Sequence, residues 1–224
     1  MSITTRGGMT FTDGVFIEAS SGPYLAQVYY NIQDILSTKN NGDTVSSLPN
    51  IGLSGTSFNA TAIGTPATVA TVNGYKVLSF NGSQPGFTIP NTLNMSTNGS
   101  MFFVGQQTAT RLVAFGGSGP YQYCMFGLSS NDGSSILFRD TGDGGLTYGG
   151  LSAVSGLKVM GIVKSGSSAT LYDNSTTGIS VSPGAGSYVF TTVGYRSAYS
   201  QYSVGYLGDL VWFSTAISSG DAQQ

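Results

Sequence analysis

GYLGDLVWF, residues 205–213, is the stretch of this sequence that decides the fold. Successive side chains of an extended strand point to opposite faces, so Leu210 and Trp212 share one face while Val211 and Phe213 share the other. Both faces are therefore apolar. Because an apolar face must be buried, the pattern predicts a central strand that is covered on both sides.

The rest of the chain repeats this organisation in shorter pieces. Apolar runs alternate with clusters of Gly, Asn, Ser and Asp, and helical periodicity is almost absent. This is typical of an all-β protein, and it predicts a β-sandwich of two antiparallel sheets. The predicted strands are Gln27–Ile32, Lys76–Phe80, Met101–Gln106, Arg111–Phe115, Gln122–Leu128, Ile136–Arg139, Lys158–Lys164, Ala169–Tyr172, Tyr188–Tyr195 and Leu207–Phe213.

Composition sets the size and the class of the protein. A chain of 224 residues fits one large sandwich domain, and 40% apolar residues, with 12 Phe and 13 Tyr, are enough to bury a core. Charged residues make up 8% and the net charge is −2, so the sequence does not favour nucleic-acid binding. No apolar run is long enough to cross a membrane, and residues 1–14 lack the apolar core of a signal peptide. We therefore expect synthesis in a cytoplasm and no membrane insertion.

Groups that carry enzyme chemistry are scarce. The sequence has no His, one Glu (Glu18), one Cys (Cys124) and nine Asp. Cys124 lies among apolar residues and is expected to be a small buried side chain without a disulfide partner. Asp140 and Asp143 are the nearest acidic couple, but glycines flank them, and turn formation is the expected role. A retaining glycosidase needs two closely spaced carboxyl groups, so the sequence predicts no catalytic residue and a protein that is not an enzyme.

Two segments carry a resemblance to a known family. NGYKVLSFNG (73–82) and GYLGDLVWFSTAIS (205–218) resemble the early and closing strands of the laminin G-like form of the concanavalin A-like lectin/glucanase superfamily. Weaker similarities follow in the family's order, at YLAQVYYNIQDILSTKNNGDTV (24–45), VMGIVKSGSSATLYDN (159–174) and VGYR (193–196). The resemblance implies a concanavalin A-like jelly-roll sandwich over residues 24–224.

This chain departs from the family pattern at two places. Tyr29 or Tyr30 replaces the opening tryptophan, and Asp209 stands for the acidic residue of the last strand. If Asp209 is buried it needs a partner, either a backbone amide or an arginine, and a structural role is expected for it. The inner faces of the sandwich should be filled by bulky side chains. The residues expected there are Phe80, Phe102, Phe115, Phe138 and Phe190.

Residues 1–23 differ from the rest because they hold several Gly and Ser and only short apolar pieces. They are predicted to be either an N-terminal arm that docks on another subunit or an edge segment. A frayed terminus or an ordinary first edge strand explains the same composition.

Exposed tyrosines are the candidate contacts for a glycan or a protein. One cluster contains Tyr121 and Tyr123, and the other, before the last strand, contains Arg196, Tyr199 and Tyr202. Packing against a neighbouring subunit or over the sandwich edge explains these tyrosines equally well.

No cofactor is predicted, with calcium as the alternative. Lectin and laminin G relatives often bind calcium through loop aspartates, which makes Asp132, Asp140 and Asp143 the candidate ligands here. Their spacing does not match an EF-hand loop. Without histidine the chain has no plausible set of zinc ligands.

The low charge, the Gly/Ser/Thr/Asn content and the lack of histidine are similar to those of bacteriophage capsid-decoration and fibre proteins. That resemblance implies a non-enzymatic structural protein, made in the host cytoplasm and carried on the virion surface. Its expected partners are capsid or tail proteins, further copies of itself as a homo-oligomer, and host-surface glycans. The alternatives are a stand-alone carbohydrate-binding lectin and a degenerate glycoside hydrolase.

Overall fold

The structure is a computed structural model that describes residues 2–4, 10–12, 26–109, 111–128, 135–148, 156–173, 178–184 and 186–217. Within these ranges one short α-helix, α1 (Ile32–Leu36), accompanies 21 strands. The strands are β1 (Ser2–Thr4), β2 (Thr10–Thr12), β3 (Val28–Tyr30), β4 (Thr44–Val45), β5 (Ser47–Leu48), β6 (Ala60–Ala62), β7 (Ala67–Val72), β8 (Tyr75–Asn81), β9 (Phe87–Asn94), β10 (Asn98–Gln107), β11 (Leu112–Gly116), β12 (Met125–Leu128), β13 (Ile136–Arg139), β14 (Gly145–Tyr148), β15 (Lys158–Ser165), β16 (Ser168–Asp173), β17 (Ile179–Val181), β18 (Val189–Val193), β19 (Tyr195–Arg196), β20 (Gln201–Tyr202) and β21 (Val204–Phe213). Short 3-10 turns cover Gly55–Phe58, Gly119–Tyr121 and Ala198–Ser200.

Two large antiparallel sheets form the molecule. The first sheet has the order β17-β16-β15-β10-β21-β8-β7-β4, and β3 pairs with the second half of β21. The second sheet has the order β14-β13-β12-β11-β18-β9-β6-β5. Side chains from both sheets share one buried apolar core, so the predicted β-sandwich is confirmed. The strands at the sheet edges are short, with two residues in β4 and β5, three in β17 and four in β14.

Strand β21 is central and covered on both faces, as its sequence predicts. Leu210 and Trp212 belong to the core between the sheets. Val211 and Phe213 belong to a second buried cluster on the opposite face of the first sheet, together with Phe102. Apolar cover on both sides therefore explains the unbroken apolar run.

Aromatic rings fill the core between the sheets. Phe138 and Tyr188 stack with their centroids 4.1 Å apart. Phe80, Phe115, Phe138 and Phe190 lie in the core, as expected. The expectation for Phe102 is wrong, because Phe102 pairs with Val211 and shares its outward face, while the next residue, Phe103, enters the core.

All ten predicted strands are present, and three of them are shorter than predicted. Gln27–Ile32 is too long, because Ile32 begins α1. Gln122–Leu128 begins only at Met125, after the turn that follows the 3-10 turn at Gly119–Tyr121. Tyr188–Tyr195 ends at Val193, because Gly194 adopts a left-handed φ of 78° and turns the chain into β19.

Helix α1 begins where β21 supplies a buried carboxylate. The Ile32 amide donates to Asp209 Oδ1 at 2.7 Å, and the Tyr29 hydroxyl donates to Asp209 Oδ2 at 3.3 Å. The Asn31 side chain adds an N-cap by accepting the Asp34 amide at 3.1 Å. Asp209 therefore has the structural role, and the backbone-amide partner, that its sequence context predicts.

Cys124 lies in the core, which confirms its predicted burial. Its thiol sulphur accepts the Val189 amide at 3.3 Å, and the thiol donates to the Ser187 carbonyl oxygen at 3.7 Å. Burial raises the pKa of the Cys124 thiol to about 11. The side chain is therefore a neutral thiol under physiological conditions.

Only part of the predicted N-terminal arm is described. The backbones of β1 and β2 pair antiparallel, with Ser2 opposite Thr12. The other residues of the 1–23 segment lie outside the described residues, and its docking role stays a prediction. In the part of the chain that the structure describes, no helix has both the length and the apolar character needed to span a membrane.

Candidate functional site

The candidate site lies on the face of the second sheet that points away from the core. Leu112, Ala114 and Phe126 enter the core, so the residue between the first two in β11 and the residue before Phe126 in β12 point outward. These outward residues include Val113 and Met125. Together with Leu137 of β13 they form a small buried cluster that is separate from the core.

Two arginines share this outward face. Arg139 pairs with Met125 across β12 and β13 and therefore points to the same side. Arg111 precedes β11 and lies two residues before the outward-facing Val113. Strand register thus places two cations beside the outer apolar cluster.

Paired glycines let the segment from β19 to β20 lie close to the sheet. A Cβ atom at Gly116 would lie 1.8 Å from the Tyr195 carbonyl oxygen, which no side chain permits. The adjacent Gly117 accepts the Ser197 amide at 2.9 Å, and Gln122 accepts the Ala198 amide at 3.1 Å. These contacts fix the 3-10 turn at Ala198–Ser200 above the end of β11.

Arg196 links the turn to the sheet. Its side chain is only 4% exposed, and Nη2 donates to Asp143 Oδ1 at 2.9 Å. Its guanidinium carbon also lies 5.6 Å from the centre of the Tyr199 ring, which is within cation–π range. Tyr199 itself is 69% exposed. An almost completely buried cation therefore supports an exposed aromatic ring.

Tyr123 packs edge to face against Tyr199, with ring centroids 6.1 Å apart and planes at 60°. Tyr199 also has a left-handed backbone conformation, with φ 59° and ψ 17°. A non-glycine residue rarely adopts this conformation without support from its surroundings. The contacts with Tyr123 and Arg196 provide that support and hold the exposed ring in place.

Two of the three arginines bind Asp143 directly. Arg139 Nη1 donates to the Asp143 carbonyl oxygen at 3.2 Å, while Arg196 binds the carboxylate. The pKa of Arg111 is lowered chiefly by burial and next by the charge of Arg196; Asp143 opposes this shift and Arg139 adds to it. Arg111 is therefore close enough to feel all three charges.

The predicted site residues divide into two groups. Tyr123, Arg196 and Tyr199 come together in one cluster, although the sequence places Tyr123 apart from the other two. Tyr121 packs against the core, and the Tyr202 ring stacks on Tyr195 at 5.4 Å. Tyr121 and Tyr202 are therefore held by intramolecular packing.

Sequence reasoning missed Arg111 and Arg139. Both are far from Arg196 along the chain, and neither lies in a recognisable motif. The only signal in the sequence is that each arginine lies two residues from an outward-facing apolar residue, Val113 or Leu137. This spacing indicates a shared face only once the outward face of each strand is known.

The candidate calcium ligands have other roles where they are described. Asp140 Oδ1 accepts the amides of Gly142 and Gly144, each at 2.9 Å, and thus builds the predicted turn. Asp143 is paired with Arg196, and Asp132 lies outside the described residues. Among the residues that the structure describes, no three His, Cys, Asp or Glu side chains are grouped closely enough to hold a metal ion.

A concave surface also lies along β15, β16 and β17 of the first sheet. It is a groove of about 500 Å³, and its described lining carries no charged side chain. Hydroxyl groups are frequent there. They belong to Ser165, Ser168, Thr170, Tyr172, Ser180 and Ser182.

Comparison with known proteins finds similarity in structure. No protein-family model matches the chain, and no curated protein matches it in sequence. Domain 4 of AbnA, a GH43 extracellular arabinanase from Geobacillus stearothermophilus solved with arabinotriose, is similar at a TM-score of 0.55 and 14% identity, over 89% of this chain and 97% of that one.

Two structures of Trypanosoma rangeli sialidase are also similar. The complex with the inhibitor DANA has a TM-score of 0.55 and 10% identity over 95% of this chain, and the complex with sialic acid has 0.53 and 11% over 88%. The present chain spans about a third of the sialidase, 35% and 31% respectively. At these identities the likeness is one of fold, and the fold shared with these proteins is a β-sandwich.

Proposed function

We propose that this chain is a non-enzymatic, carbohydrate-binding β-sandwich carried on the surface of a bacteriophage virion. The observation that carries the proposal is the Tyr199 ring, which is 69% exposed and is held in place by Arg196 and Tyr123. Sugar-binding surfaces combine an aromatic ring, on which the apolar face of a sugar packs, with polar groups that hold its substituents.

Polar groups lie beside the exposed Tyr199 ring, which we call the aromatic platform. Arg196 and Asp143 form an ion pair next to the ring, and Asp143 is about one-third exposed. The exposed part of the Asp143 carboxylate is suited to accept hydrogen bonds from sugar hydroxyl groups, whereas the buried Arg196 supports the ring. Because the platform is fixed by packing before a ligand arrives, binding requires little ordering of side chains.

The structural comparisons support sugars as the first ligands to test. The similar arabinanase domain was solved with arabinotriose and one similar sialidase structure with sialic acid. Those ligands belong to those proteins, and they define a neutral and an acidic probe for this one.

A binding test can show whether a sugar binds at Tyr199 or elsewhere on the surface. Calorimetry with a panel that includes arabinotriose and sialyllactose is expected to detect at least one ligand. Tyr199→Ala is expected to weaken binding by about tenfold or more, the effect of losing ~1.4 kcal/mol. Leu53→Ala is the matched control, because Leu53 is also exposed, at 60%, but lies elsewhere in the chain.

Two outcomes would contradict the proposed site. Failure of every sugar to bind removes the carbohydrate-binding function. Binding that survives Tyr199→Ala but is lost when Ser180→Tyr fills the groove assigns the ligand to the groove between β15 and β17 instead.

The non-enzymatic part of the proposal rests on residue chemistry. The carboxylates of Asp140 and Asp143 are engaged by turn amides and by Arg196, respectively. A glycosidase instead uses one protonated and one ionised carboxyl group on either side of the scissile bond. Release of reducing sugar that disappears with Asp140→Asn or Asp143→Asn would favour the degenerate-hydrolase alternative.

The virion part rests on composition. A chain with 8% charged residues and no histidine, rich in Gly, Ser and Thr, suits a surface protein that carries sites but performs no proton chemistry. Immunogold labelling of particles from the phage that encodes the chain is expected to mark the head or the tail. Absence from purified particles, together with sugar binding by the isolated chain, would favour the stand-alone lectin.

A further inference from the structure

The groove along β15, β16 and β17 lies on the face of the first sheet that points away from the core. Leu171 of β16 enters the core, so its neighbours Thr170 and Tyr172 point outward. Strand register places Val163, Thr170 and Ser180 side by side across the three strands. These side chains line the groove, whose floor is therefore built from regular strands.

The end of the described chain forms one wall of the groove. Ser100 of β10 is completely buried, and its hydroxyl donates to the Thr215 carbonyl oxygen at 3.0 Å and accepts the Ile217 amide at 3.0 Å. These two hydrogen bonds fix the segment next to the strands, where Ala216 and Ile217 line the groove. Because both floor and wall are held by internal contacts, a ligand meets a groove that is already formed.

Hydroxyl groups that are open to solvent project into the groove. Each can donate one hydrogen bond and accept others, as the hydroxyl groups of a sugar also do. The half-buried Val163 and Ala216 add apolar surface between them, which suits the C–H groups of a sugar ring. The hydroxyl groups belong to the exposed Ser165, Ser168, Ser180 and Ser182 and to the half-buried Thr170.

Tyr172 adds a hydroxyl that has no partner within the protein. Its ring packs against Phe102 with the centroids 6.2 Å apart, and only 4% of the residue is exposed. Among the described residues none forms a hydrogen bond with the Tyr172 hydroxyl, and burial raises its pKa. A tyrosine hydroxyl so placed usually has a partner. Because Tyr172 lines the groove, a ligand in the groove can be that partner.

We propose that this groove binds a neutral sugar chain, whose hydroxyl groups exchange hydrogen bonds with Thr170, Tyr172 and Ser180. The inference rests on the proposed carbohydrate-binding function and adds a second site to it. The groove volume of about 500 Å³ is typical of sites for small ligands. Protein hydroxyl groups satisfy a neutral sugar, whereas a carboxylate would find no cation in the described lining.

The two sites lie on opposite sides of the sandwich. Tyr199 is on the outward side of the second sheet, and the groove is on the outward side of the first. One molecule can therefore hold two separate sugar chains at once. On a surface that carries many glycans, two sites on one molecule raise the overall strength of attachment.

Amide NMR spectra locate the binding residue by residue. Titration with maltotriose, cellotriose and xylotriose is expected to shift the amide signals of β16 and β17 for at least one sugar, separately from the signals around Tyr199. Ser180→Tyr fills the groove and is expected to abolish the shifts in β16 while those around Tyr199 remain. Ser47→Tyr is the matched control, because Ser47 is also an exposed serine on a short edge strand, β5 of the second sheet.

Tyr172→Phe distinguishes a binding groove from a passive depression in the surface. It removes a hydroxyl without an internal partner, so the temperature of unfolding is expected to be unchanged. Affinity at the groove is expected to fall about threefold to tenfold, the effect of one lost hydrogen bond. Tyr30→Phe is the control, because the Tyr30 hydroxyl donates to the Phe58 carbonyl oxygen at 2.6 Å. This control is expected to lower the temperature of unfolding and to leave groove affinity unchanged.

The outcomes separate this inference from the function on which it rests. The inference is overturned if no sugar shifts β16 and β17, if the shifts survive Ser180→Tyr, or if Tyr172→Phe leaves groove affinity unchanged. Tighter binding of trigalacturonic acid than of its neutral methyl ester in the groove also overturns it. In each of these cases, shifts around Tyr199 keep the proposed function standing. Absence of shifts at both places overturns the proposed function as well.

Discussion

At the scale of single residues, the burial of Cys124 makes the stability of the protein depend on pH. The thiol lies in the core between the Val189 amide and the Ser187 carbonyl, and burial raises its pKa from 9 to about 11. The unfolded chain releases this proton at lower pH than the folded chain. Between about pH 9 and pH 11 the folded protein therefore holds more protons than the unfolded protein.

This difference predicts a loss of stability at alkaline pH. The free energy of unfolding is expected to fall as pH rises from about 9 to about 11, with Cys124 contributing at most about 1.4 kcal/mol per pH unit. Urea unfolding at several pH values measures the slope.

Cys124→Ala isolates the thiol from the other groups that titrate in this range. Burial also raises the pKa of Tyr188, to about 12, and this main cause is present in both proteins, whereas the smaller contribution of the Cys124 charge is lost in the variant. The variant is expected to be less stable at neutral pH but to lose less stability on going to pH 11. Equal slopes for the two proteins would show that the thiol does not titrate as its burial requires.

At the scale of elements, Asp209 joins the central strand to the start of the only helix in the described residues. Its carboxylate accepts the Ile32 amide, so β21 fixes where β3 ends and α1 begins. Asp209→Ala is expected to lower the free energy of unfolding by about 2–4 kcal/mol, because the Ile32 amide loses its buried carboxylate acceptor. Chemical denaturation of both proteins measures the change.

The exposed Asp34 of α1 provides the control. Asp34→Ala is expected to change stability by no more than about 0.5 kcal/mol, as is usual at the protein surface. If Asp209→Ala is equally mild, the helix start does not depend on the buried carboxylate.

Elements also show what the sequence can and cannot predict. Strands such as β10 and β21 are long and apolar enough to be recognised directly, whereas β4 and β5 have two residues each and show no periodicity. The start of α1 depends on a hydrogen bond to Asp209, which is 177 residues away. Local sequence contains no signal for such a contact.

In the candidate site, too, the sequence predicts residues that are neighbours in the chain but misses those that only the fold brings together. Arg196 and Tyr199 are near each other in the chain, and their cluster was predicted. Arg111 and Arg139 reach the same place only because β11, β12 and β13 are neighbours in the second sheet. Predicting them requires the strand order and the outward face of each strand, which a single sequence does not supply.

At the scale of the whole molecule, the two ends of the described sandwich meet. Val28 of β3 pairs with Trp212 of β21, and Val28 and Tyr30 are completely buried. Each large apolar side chain of this kind contributes about 1.5–3 kcal/mol when buried. Because a domain is stable by only about 5–15 kcal/mol in total, β3 is a large share of the stability.

Two truncations test this dependence. Removal of residues 1–24, the predicted arm, is expected to leave a sandwich that unfolds cooperatively at a similar temperature. Removal of residues 1–31 also deletes β3 and is expected to prevent stable folding. Circular dichroism with thermal unfolding distinguishes the two. A folded protein that lacks residues 1–31 would show that β3 is dispensable, and normal particle assembly after removal of residues 1–24 would argue against a docking arm.

The short strands at the sheet edges affect whether neighbouring copies of the protein can pair strand to strand. A long, flat edge strand presents a row of unpaired backbone groups on which another chain can add its own strand, the first step of fibril growth. The described edge strands β4, β5, β14 and β17 offer only two to four residues each, few for a stable intermolecular ladder. The described sheet edges therefore disfavour strand addition between copies of this protein that lie side by side at high local concentration.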